Sequence, residues 1–371
     1  MYPHLFSPFR INGVELPNRL TMAPLYLGYA AEGGAVSNLL LDHYRLMAQS
    51  GVALLVVENA TIDHPTGSGS NRTLRVDSDE YLEGLATLAR IIKQEGARAC
   101  LQINHAGRFA GAAPQPVAPS AVETFGRLPK PLSRDEIQEI IQKYADAARR
   151  VKQAGFDLVE LHGGTGYLLA QFASPRTNRR EDDYGGSLEK RGKFPLEVVA
   201  RVRAAVGDFP VGYRFLADEW LPDGLNLAES GPLAQALAAA GIAYLSVMGG
   251  TYESFFLPEI VEKSKQDGYM VDLAAAIKAR VDVPVITAGR IAKGALAEEI
   301  LAQGKADLIG LARVLWADPA WPQKVWEGRE SELIPCDSDC DTCMQLVMRG
   351  KPAFCVHWPV EKRRAWKAKF E

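Results

Sequence analysis

The sequence predicts a (β/α)8 TIM barrel with an N-terminal β-hairpin and a cysteine-bearing C-terminal extension, on three observations. Eight short runs rich in β-forming residues are spaced along the 371 residues. Several of these runs are apolar almost throughout, which is typical of strands buried on both faces. Helical patterns fall between the later runs. A doubly wound sheet is the alternative, but the segment after the first run, APLYLGYA, lacks the glycine-rich phosphate fingerprint of that fold.

Local signals support the individual elements. Asn12-Gly13 lies between alternating apolar residues and predicts a β-hairpin with a type I′ turn. Ser133 and Glu136 match a capping box, and apolar residues then repeat at three- and four-residue spacing until Gly155, which predicts one clear helix. The eight strands are predicted at residues 20–25, 52–61, 97–105, 156–163, 210–217, 243–250, 284–290 and 306–313.

The chain is expected to divide into a barrel, residues 1–335, and a cysteine-rich extension, residues 336–371, packed on it. Residues 106–132, rich in Ala and Pro, are predicted to form an extended loop or lid.

The net charge argues neither for nor against a small-molecule partner, but charge and hydropathy bear on other classes of partner. The net charge is −3 and no basic stripe is present, which argues against a nucleic-acid partner. No apolar run is long enough to cross a membrane. The N-terminus, MYPHLFSPFRING, shows no positive leader followed by an apolar core, so a cytoplasmic location is expected. We also expect a homo-oligomer.

In a barrel of this class the chemistry lies where strands end. The predicted strand ends carry many hydrogen-bond donors and few carboxylates, which suits a flat, electron-rich, phosphorylated ligand. No pair of acids suggests glycoside hydrolysis. No lysine stands at a strand end, which argues against a lyase or aldolase that forms a Schiff base. Arg290 and Arg313 follow strands seven and eight, where this fold usually binds phosphate; pairing with surface carboxylates is the alternative.

Four segments carry a resemblance to a known family: LTMAPL (20–25), LQINHAGR (101–108), the run from HGGTGYLLAQ to GGSLEKR (162–191), and the run from GRIAKGA to LWADP (289–319). Together they resemble the Old Yellow Enzyme family of FMN-dependent NADH:flavin oxidoreductases. The resemblance implies one non-covalent FMN at the carboxyl end of the barrel, with NADPH or NADH as the reductant. It also implies an ene-reductase, which reduces an activated C=C bond in an enone or enoyl thioester.

The resemblance also implies residue roles. Gln102 would bond the pyrimidine edge of the flavin, and Arg214 would place a positive charge near its N1 and C2=O. His162 would polarise the substrate carbonyl, and Tyr167 would donate the proton. Tyr252 is either a second proton-transfer residue or an aromatic wall. The implied catalytic residues are Tyr167, His162, Thr165 and Tyr252. The implied cofactor-binding residues are Ala23, Pro24, Leu25, Asn59, Gln102, His162, Arg214, Gly289, Arg290, Ala312 and Arg313.

Two departures from the family pattern affect the expected chemistry. Thr165 stands where the family usually has His or Asn, so the pair of donors on the substrate carbonyl would be weaker or shifted. Tyr26 and Gly28 stand where the thermophilic-like branch places Cys and Tyr. The glycines between His162 and Tyr167 are expected to let a substrate or a backbone segment approach closely.

Four cysteines near the C-terminus follow the spacing Cys336-x3-Cys340-x2-Cys343-x11-Cys355. They resemble the [4Fe–4S] ligands of the dienoyl-CoA reductase and trimethylamine dehydrogenase branch, with the first two gaps exchanged. A structural zinc site and unligated thiols are the alternatives. Cys100 lies alone in an apolar run and is expected to be a buried small hydrophobe.

A cluster would accept single electrons, so a separate electron-donor protein is a candidate partner. The C-terminal nucleotide domain that the four-cysteine branch often carries is not expected in this chain. Two other functions stay open: a flavin dehydrogenase that oxidises an amine or C–H substrate, and a non-catalytic subunit that only binds FMN.

Overall fold

The computed structural model describes residues 2–370. The strands are β1 (Phe9–Ile11), β2 (Val14–Leu16), β3 (Leu20–Met22), β4 (Leu54–Thr61), β5 (Arg98–Asn104), β6 (Val117–Ala118), β7 (Lys130–Pro131), β8 (Leu158–Gly163), β9 (Val211–Asp218), β10 (Tyr244–Gly249), β11 (Val285–Thr287) and β12 (Leu308–Leu311). The helices are α1 (Asn38–Ala48), α2 (Leu82–Gln94), α3 (Arg134–Gln153), α4 (Leu168–Ala173), α5 (Leu188–Val206), α6 (Leu227–Ala239), α7 (Pro258–Ser264), α8 (Val271–Lys278), α9 (Gly294–Ala302), α10 (Arg313–Ala317), α11 (Trp321–Trp326), α12 (Thr342–Met348) and α13 (Val360–Phe370).

Eight parallel strands form a closed barrel in the order β3, β4, β5, β8, β9, β10, β11 and β12. The predicted barrel is therefore confirmed, and each predicted strand contains or overlaps the observed one. The doubly wound alternative is wrong, because β12 pairs with β3 and closes the sheet. Closure satisfies the edges of the sheet and directs all eight carboxyl ends to one face.

The N-terminal hairpin and the capped helix also agree with the sequence. Strands β1 and β2 pair antiparallel, and the turn residues Asn12 and Gly13 both have positive φ, 42° and 87°, as a type I′ turn requires. Helix α3 begins with both hydrogen bonds of the capping box between Ser133 and Glu136. It ends just before Gly155, whose φ is 82°.

Apolar side chains fill two layers. One cluster lies inside the barrel and includes Leu54, Val56, Cys100 and Tyr244. A larger cluster lies between the strands and the surrounding helices. Because β4 and β8 are buried along their whole length, their sequences lack the apolar–polar alternation of half-exposed strands.

The predicted lid has secondary structure of its own, and the tail contacts the barrel. The lid, residues 106–132, contains a 3-10 turn (Gly107–Phe109) and the short strands β6 and β7. The tail is joined to the β3–α1 loop, because the Ala353 amide donates to the Leu27 carbonyl at 2.9 Å and the Tyr29 hydroxyl donates to the Ala353 carbonyl at 2.7 Å. Over residues 2–370, no helix is long and apolar enough to span a membrane.

Candidate active site

A cavity of about 660 Å³ opens at the carboxyl ends of β3, β9, β11 and β12. Its lining contains three arginines and no carboxylate, a charge that would suit an anionic ligand, and we call it the anionic-ligand cavity. Small residues form much of the remaining wall, so a flat group can lie against it. Seven of the predicted cofactor-binding residues line this cavity: Ala23, Pro24, Arg214, Gly289, Arg290, Ala312 and Arg313.

The other predicted cofactor-binding residues, Leu25, Asn59, Gln102 and His162, lie outside that lining. Asn59 is buried, and its Nδ2 donates to the Tyr167 hydroxyl at 3.4 Å. The Asn59 Oδ1 is buried without a protein partner, which leaves an acceptor for a ligand. Gln102 is buried and donates from Nε2 to Glu160.

Two arginines at the predicted phosphate site differ in how they are held. Arg290 donates from Nε to the Ser264 carbonyl and from Nη1 to the Cys336 carbonyl, each at 2.9 Å. Its guanidinium therefore ties the barrel to the tail and has fewer N–H groups left for a bidentate clamp. Arg313 lines this cavity and a second one that contains the cysteines. Burial raises the pKa of the Cys336 thiol, and the positive charge of Arg313 opposes that effect.

A pair of tyrosines stands beside His162. The Tyr167 and Tyr252 hydroxyls lie 2.8 Å apart, and the Tyr167 and His162 rings meet edge to face with centroids 4.8 Å apart. Burial raises the pKa of Tyr167 well above 10, and the Tyr252 phenol adds to this effect. Burial also raises the pKa of Tyr252. Both phenols therefore keep their protons at neutral pH and can pass one along their shared hydrogen bond.

His162 is held as a neutral donor. The Gly164 amide donates to its Nδ1 at 3.2 Å, so the ring proton lies on Nε2. Burial, with a further contribution from the positive charge of Arg214, lowers the pKa of His162 well below 6.5. A neutral imidazole with Nε2–H can donate one hydrogen bond to a ligand oxygen.

These protonation states predict a flat pH profile. We expect the turnover rate at this site to show no histidine titration between about pH 6 and 9, because His162 stays neutral and Tyr167 stays protonated in that range. Turnover rates at several pH values measure this. A step near pH 6.5 that disappears in a His162→Asn variant would contradict it.

The Thr165 hydroxyl donates to the Met248 sulfur at 3.5 Å, and the Thr165 φ of 58° is in the left-handed region. The expected reason for the glycines is wrong at Gly163 and Gly164, because protein side chains occupy the space. A Cβ at Gly164 would lie 2.5 Å from the Met248 sulfur, and one at Gly163 would lie 2.2 Å from the Tyr213 ring.

The two departures after β3 have separate roles. The Tyr26 hydroxyl bonds the Ser70 hydroxyl at 2.5 Å, and burial raises the pKa of Tyr26 to about 12. Gly28 has a φ of 69°, and a Cβ there would make only an ordinary contact with the Lys351 carbonyl of the tail, at 3.5 Å. The left-handed backbone, rather than a lack of space, accounts for glycine at this position.

The four tail cysteines meet at one place. Cys336, Cys340, Cys343 and Cys355 line a cavity of about 320 Å³, with Trp316 and Phe354 among its apolar walls. All are free thiols, and Cys100 is buried elsewhere, as expected. Among residues 2–370, no group of three or more His, Cys, Asp or Glu side chains is arranged to hold a metal ion. Cys336 and Arg313 line both this cavity and the anionic-ligand cavity.

Some residues at the site were not predicted. Tyr269 and Met270 line the anionic-ligand cavity, and nothing in their local sequence distinguishes them. Glu160 could have been found, because it stands two residues before His162 and therefore faces the same side of β8. A carboxylate inside an apolar run is unusual enough to mark a functional position.

A family model described as "NADH:flavin oxidoreductase / NADH oxidase family" matches residues 4–332. The chain belongs to this family. It is 45% identical over 345 residues to an NADH oxidase of Thermoanaerobacter brockii and 40% identical over 358 residues to a metal reductase of Desulforamulus reducens. These alignments cover 91% and 95% of this chain but 53% of each relative, so the chain spans about half of their length.

Relatives of similar length and solved structures agree with this assignment. An NADPH dehydrogenase of Geobacillus sp. is 38% identical over 321 residues, covering 86% of this chain and 92% of the relative. A 2-naphthoyl-CoA reductase complex matches with a TM-score of 0.92 at 30% identity, over 97% of this chain and 57% of that one.

Two further structures extend the comparison. Histamine dehydrogenase from Rhizobium sp. 4-9 matches with a TM-score of 0.85 at 28% sequence identity, over 96% of this chain and 52% of that one. An old yellow enzyme homologue from Zymomonas mobilis matches with a TM-score of 0.74 at 25% sequence identity, over 88% of this chain and 93% of that one. The resemblance to the Old Yellow Enzyme family is confirmed.

Proposed function

We propose that this chain is an FMN-dependent ene-reductase that reduces the C=C bond of an enone or enoyl thioester. The observation that carries the proposal is a neutral histidine and two hydrogen-bonded tyrosines at the strand ends of a flavin-family barrel. The family membership and the likeness to a 2-naphthoyl-CoA reductase support this reaction class.

The anionic-ligand cavity fits FMN. Its three arginines and its lack of acids suit a phosphate and an electron-rich ring. We assign the phosphate to the Gly289–Arg290 and Ala312–Arg313 segments. The ring edge is assigned to Arg214 and Gln102. When bound, FMN would supply the hydride for reduction of the substrate.

His162 and Tyr167 would act on the substrate. The Nε2–H of His162 would donate to the carbonyl oxygen, where negative charge grows as the β-carbon gains a hydride. Tyr167 would give its hydroxyl proton to the α-carbon. The nearby Tyr252 hydroxyl, 2.8 Å away, would then return a proton to Tyr167. Asn59 orients the Tyr167 hydroxyl through its Nδ2. Thr165 would join His162 as a second donor only after turning away from Met248.

An absorption spectrum tests the function most directly. We expect protein purified with FMN to show a bound-flavin spectrum that NADPH or NADH bleaches and that an α,β-unsaturated ketone or enoyl thioester restores. Colourless protein that cannot be reconstituted with FMN would contradict the proposal. If the protein binds FMN but no activated alkene reoxidises the reduced flavin, it would be a subunit that only binds FMN.

The likeness to histamine dehydrogenase favours one second candidate, a flavin dehydrogenase that oxidises an amine or C–H substrate. In that case the bound FMN would take a hydride from the substrate instead of supplying one. Anaerobic bleaching of the flavin by an amine, with no nicotinamide present, distinguishes this reaction from alkene reduction.

We further propose that Cys336, Cys340, Cys343 and Cys355 hold a [4Fe–4S] cluster. The presence of all four cysteines in the lining of one cavity supports this, because four is the number of cysteine ligands that such a cluster takes. Zinc is the alternative outcome. The cluster would carry single electrons next to the anionic-ligand cavity, since Arg313 and Cys336 line both cavities.

A separate electron-donor protein is the partner that such a cluster would need, alongside direct reduction by NAD(P)H. Helix α13 exposes Lys362, Arg364 and Lys367. Their positive charge would attract an electron-donor protein with an acidic surface. Lys362 Nζ lies 3.9 Å from the centre of the Trp358 ring, and Trp358 packs against Trp316 of the cysteine cavity, so this helix lies beside that cavity. We treat residues 1–335 as the barrel, residues 336–371 as its cysteine-bearing extension, and the assembly as a homo-oligomer.

A further inference from the structure

One row of residues crosses four neighbouring strands, one pleat before His162. Gln102 of β5 is in register with Glu160 of β8, and Glu160 is in register with Gly212 of β9. Gly212 is in turn in register with Tyr244 of β10. Glu160 is fully buried, at 0% exposure. A carboxylate in such a place needs specific partners, because burial without them costs several kcal/mol.

Both oxygens of Glu160 have such a partner. Oε1 accepts from Gln102 Nε2 at 2.7 Å, and Oε2 accepts from the Tyr244 hydroxyl at 2.9 Å. Gly212 makes the second contact possible. A Cβ at this position would lie 2.1 Å from the Tyr244 ring carbon Cζ, so the ring crosses the strand only above a glycine. Three strands therefore contribute to holding this one carboxylate.

Arg214 lies one pleat higher, in register with His162, and lines the anionic-ligand cavity. Its Nη1 donates to the Ser246 hydroxyl at 2.7 Å. Burial raises the pKa of Glu160, and the positive charge of Arg214 opposes that effect. Glu160 likewise supports the protonated state of Arg214 against burial. The two charges compensate each other within the barrel.

We propose that Glu160 is a positioning residue that sets how Gln102 and Arg214 meet the bound cofactor. An ionised carboxylate only accepts, so it selects the orientation in which the Gln102 amide nitrogen faces it. The Gln102 Oε1 is then left to accept an imide N–H, such as the one on the pyrimidine edge of a flavin. The Glu160 charge also offsets the field of Arg214 on that edge. This inference rests on the proposed FMN function.

A double-mutant cycle tests whether Glu160 acts through Gln102. We expect Glu160→Gln to weaken FMN binding to the apoprotein about tenfold, because an amide at 160 can donate or accept and no longer selects one Gln102 orientation. In a Gln102→Ala background the same change should weaken binding by less than about twofold. FMN fluorescence titration measures all four dissociation constants.

The charge effect has its own readout. Glu160→Gln should move the flavin reduction potential to a more positive value, because Arg214 is no longer offset and stabilises the reduced anionic ring more strongly. Glu219→Gln is the matched control. Glu219 is also a buried glutamate with a raised pKa, but it accepts from the Ser174 hydroxyl and the Leu225 amide, away from this row.

The outcomes separate three cases. Coupling between Glu160 and Gln102, together with a potential shift absent from Glu219→Gln, supports the proposal. Losses of affinity that add independently in the cycle, with an unchanged potential, would show that Glu160 only stabilises the barrel and would overturn it. A wild-type apoprotein that takes up no FMN would overturn the proposed function itself, and this inference with it.

Discussion

A Tyr167→Phe variant is expected to reduce activated alkenes at least about 100-fold more slowly than the wild type, because general-acid proton transfer contributes on that scale. The change removes only the hydroxyl and keeps the edge-to-face contact of the ring with His162. Reduction of the flavin by NAD(P)H should stay within about threefold, since that half-reaction takes no proton from this group. Stopped-flow measurement of each half-reaction separates the two.

The neighbouring Tyr252 determines how far the rate of alkene reduction falls in Tyr167→Phe. Its hydroxyl lies 2.8 Å from that of Tyr167 and can partly take over as proton donor. Tyr252→Phe alone should have a smaller effect, and the double variant should be slower than Tyr167→Phe. Tyr184→Phe is the matched control, because Tyr184 is also largely buried but bonds Gln138 and Glu197 away from the site. An unchanged alkene-reduction rate in Tyr167→Phe would refute its role as proton donor.

The second large effect is expected at the cysteines. Cys343→Ser should abolish the broad absorption and the iron and sulfide content of anaerobically purified protein, because the proposed cluster would lose one of its four cysteine ligands. Cys343 is the informative choice, since Cys336 also lines the anionic-ligand cavity and would disturb both sites. FMN content and bleaching by NAD(P)H should persist. Reduction by a one-electron protein donor should fail.

Cys100→Ser provides the control for this prediction. Cys100 is buried inside the barrel, outside the cysteine cavity, and its substitution should leave iron content unchanged. Metal analysis of the wild type also decides between the alternatives. About four irons and four sulfides per chain support the cluster, whereas one zinc per chain would contradict it and identify a structural zinc site.

The sequence alone determined the barrel and its chemistry-bearing face. Strands buried on both sides need nearly continuous apolar runs, so β4 and β8 could be predicted as strands from their sequences. Eight runs of strand-forming residues are compatible with few folds other than the barrel. The Ser133–Glu136 capping box and the Asn12-Gly13 turn were readable because a few neighbouring residues determine each. His162 and Tyr167 could be predicted for the same reason, because they lie within one short sequence motif.

Only the tertiary structure decided which distant residues meet. The Tyr167–Tyr252 hydrogen bond joins groups 85 residues apart. Strand register alone places Gln102, Glu160 and Tyr244 in one row. Close packing in three dimensions also showed that Gly163 makes room for the Tyr213 ring rather than for a substrate. Such contacts depend on how strands align and how side chains fill space, and no local pattern encodes either.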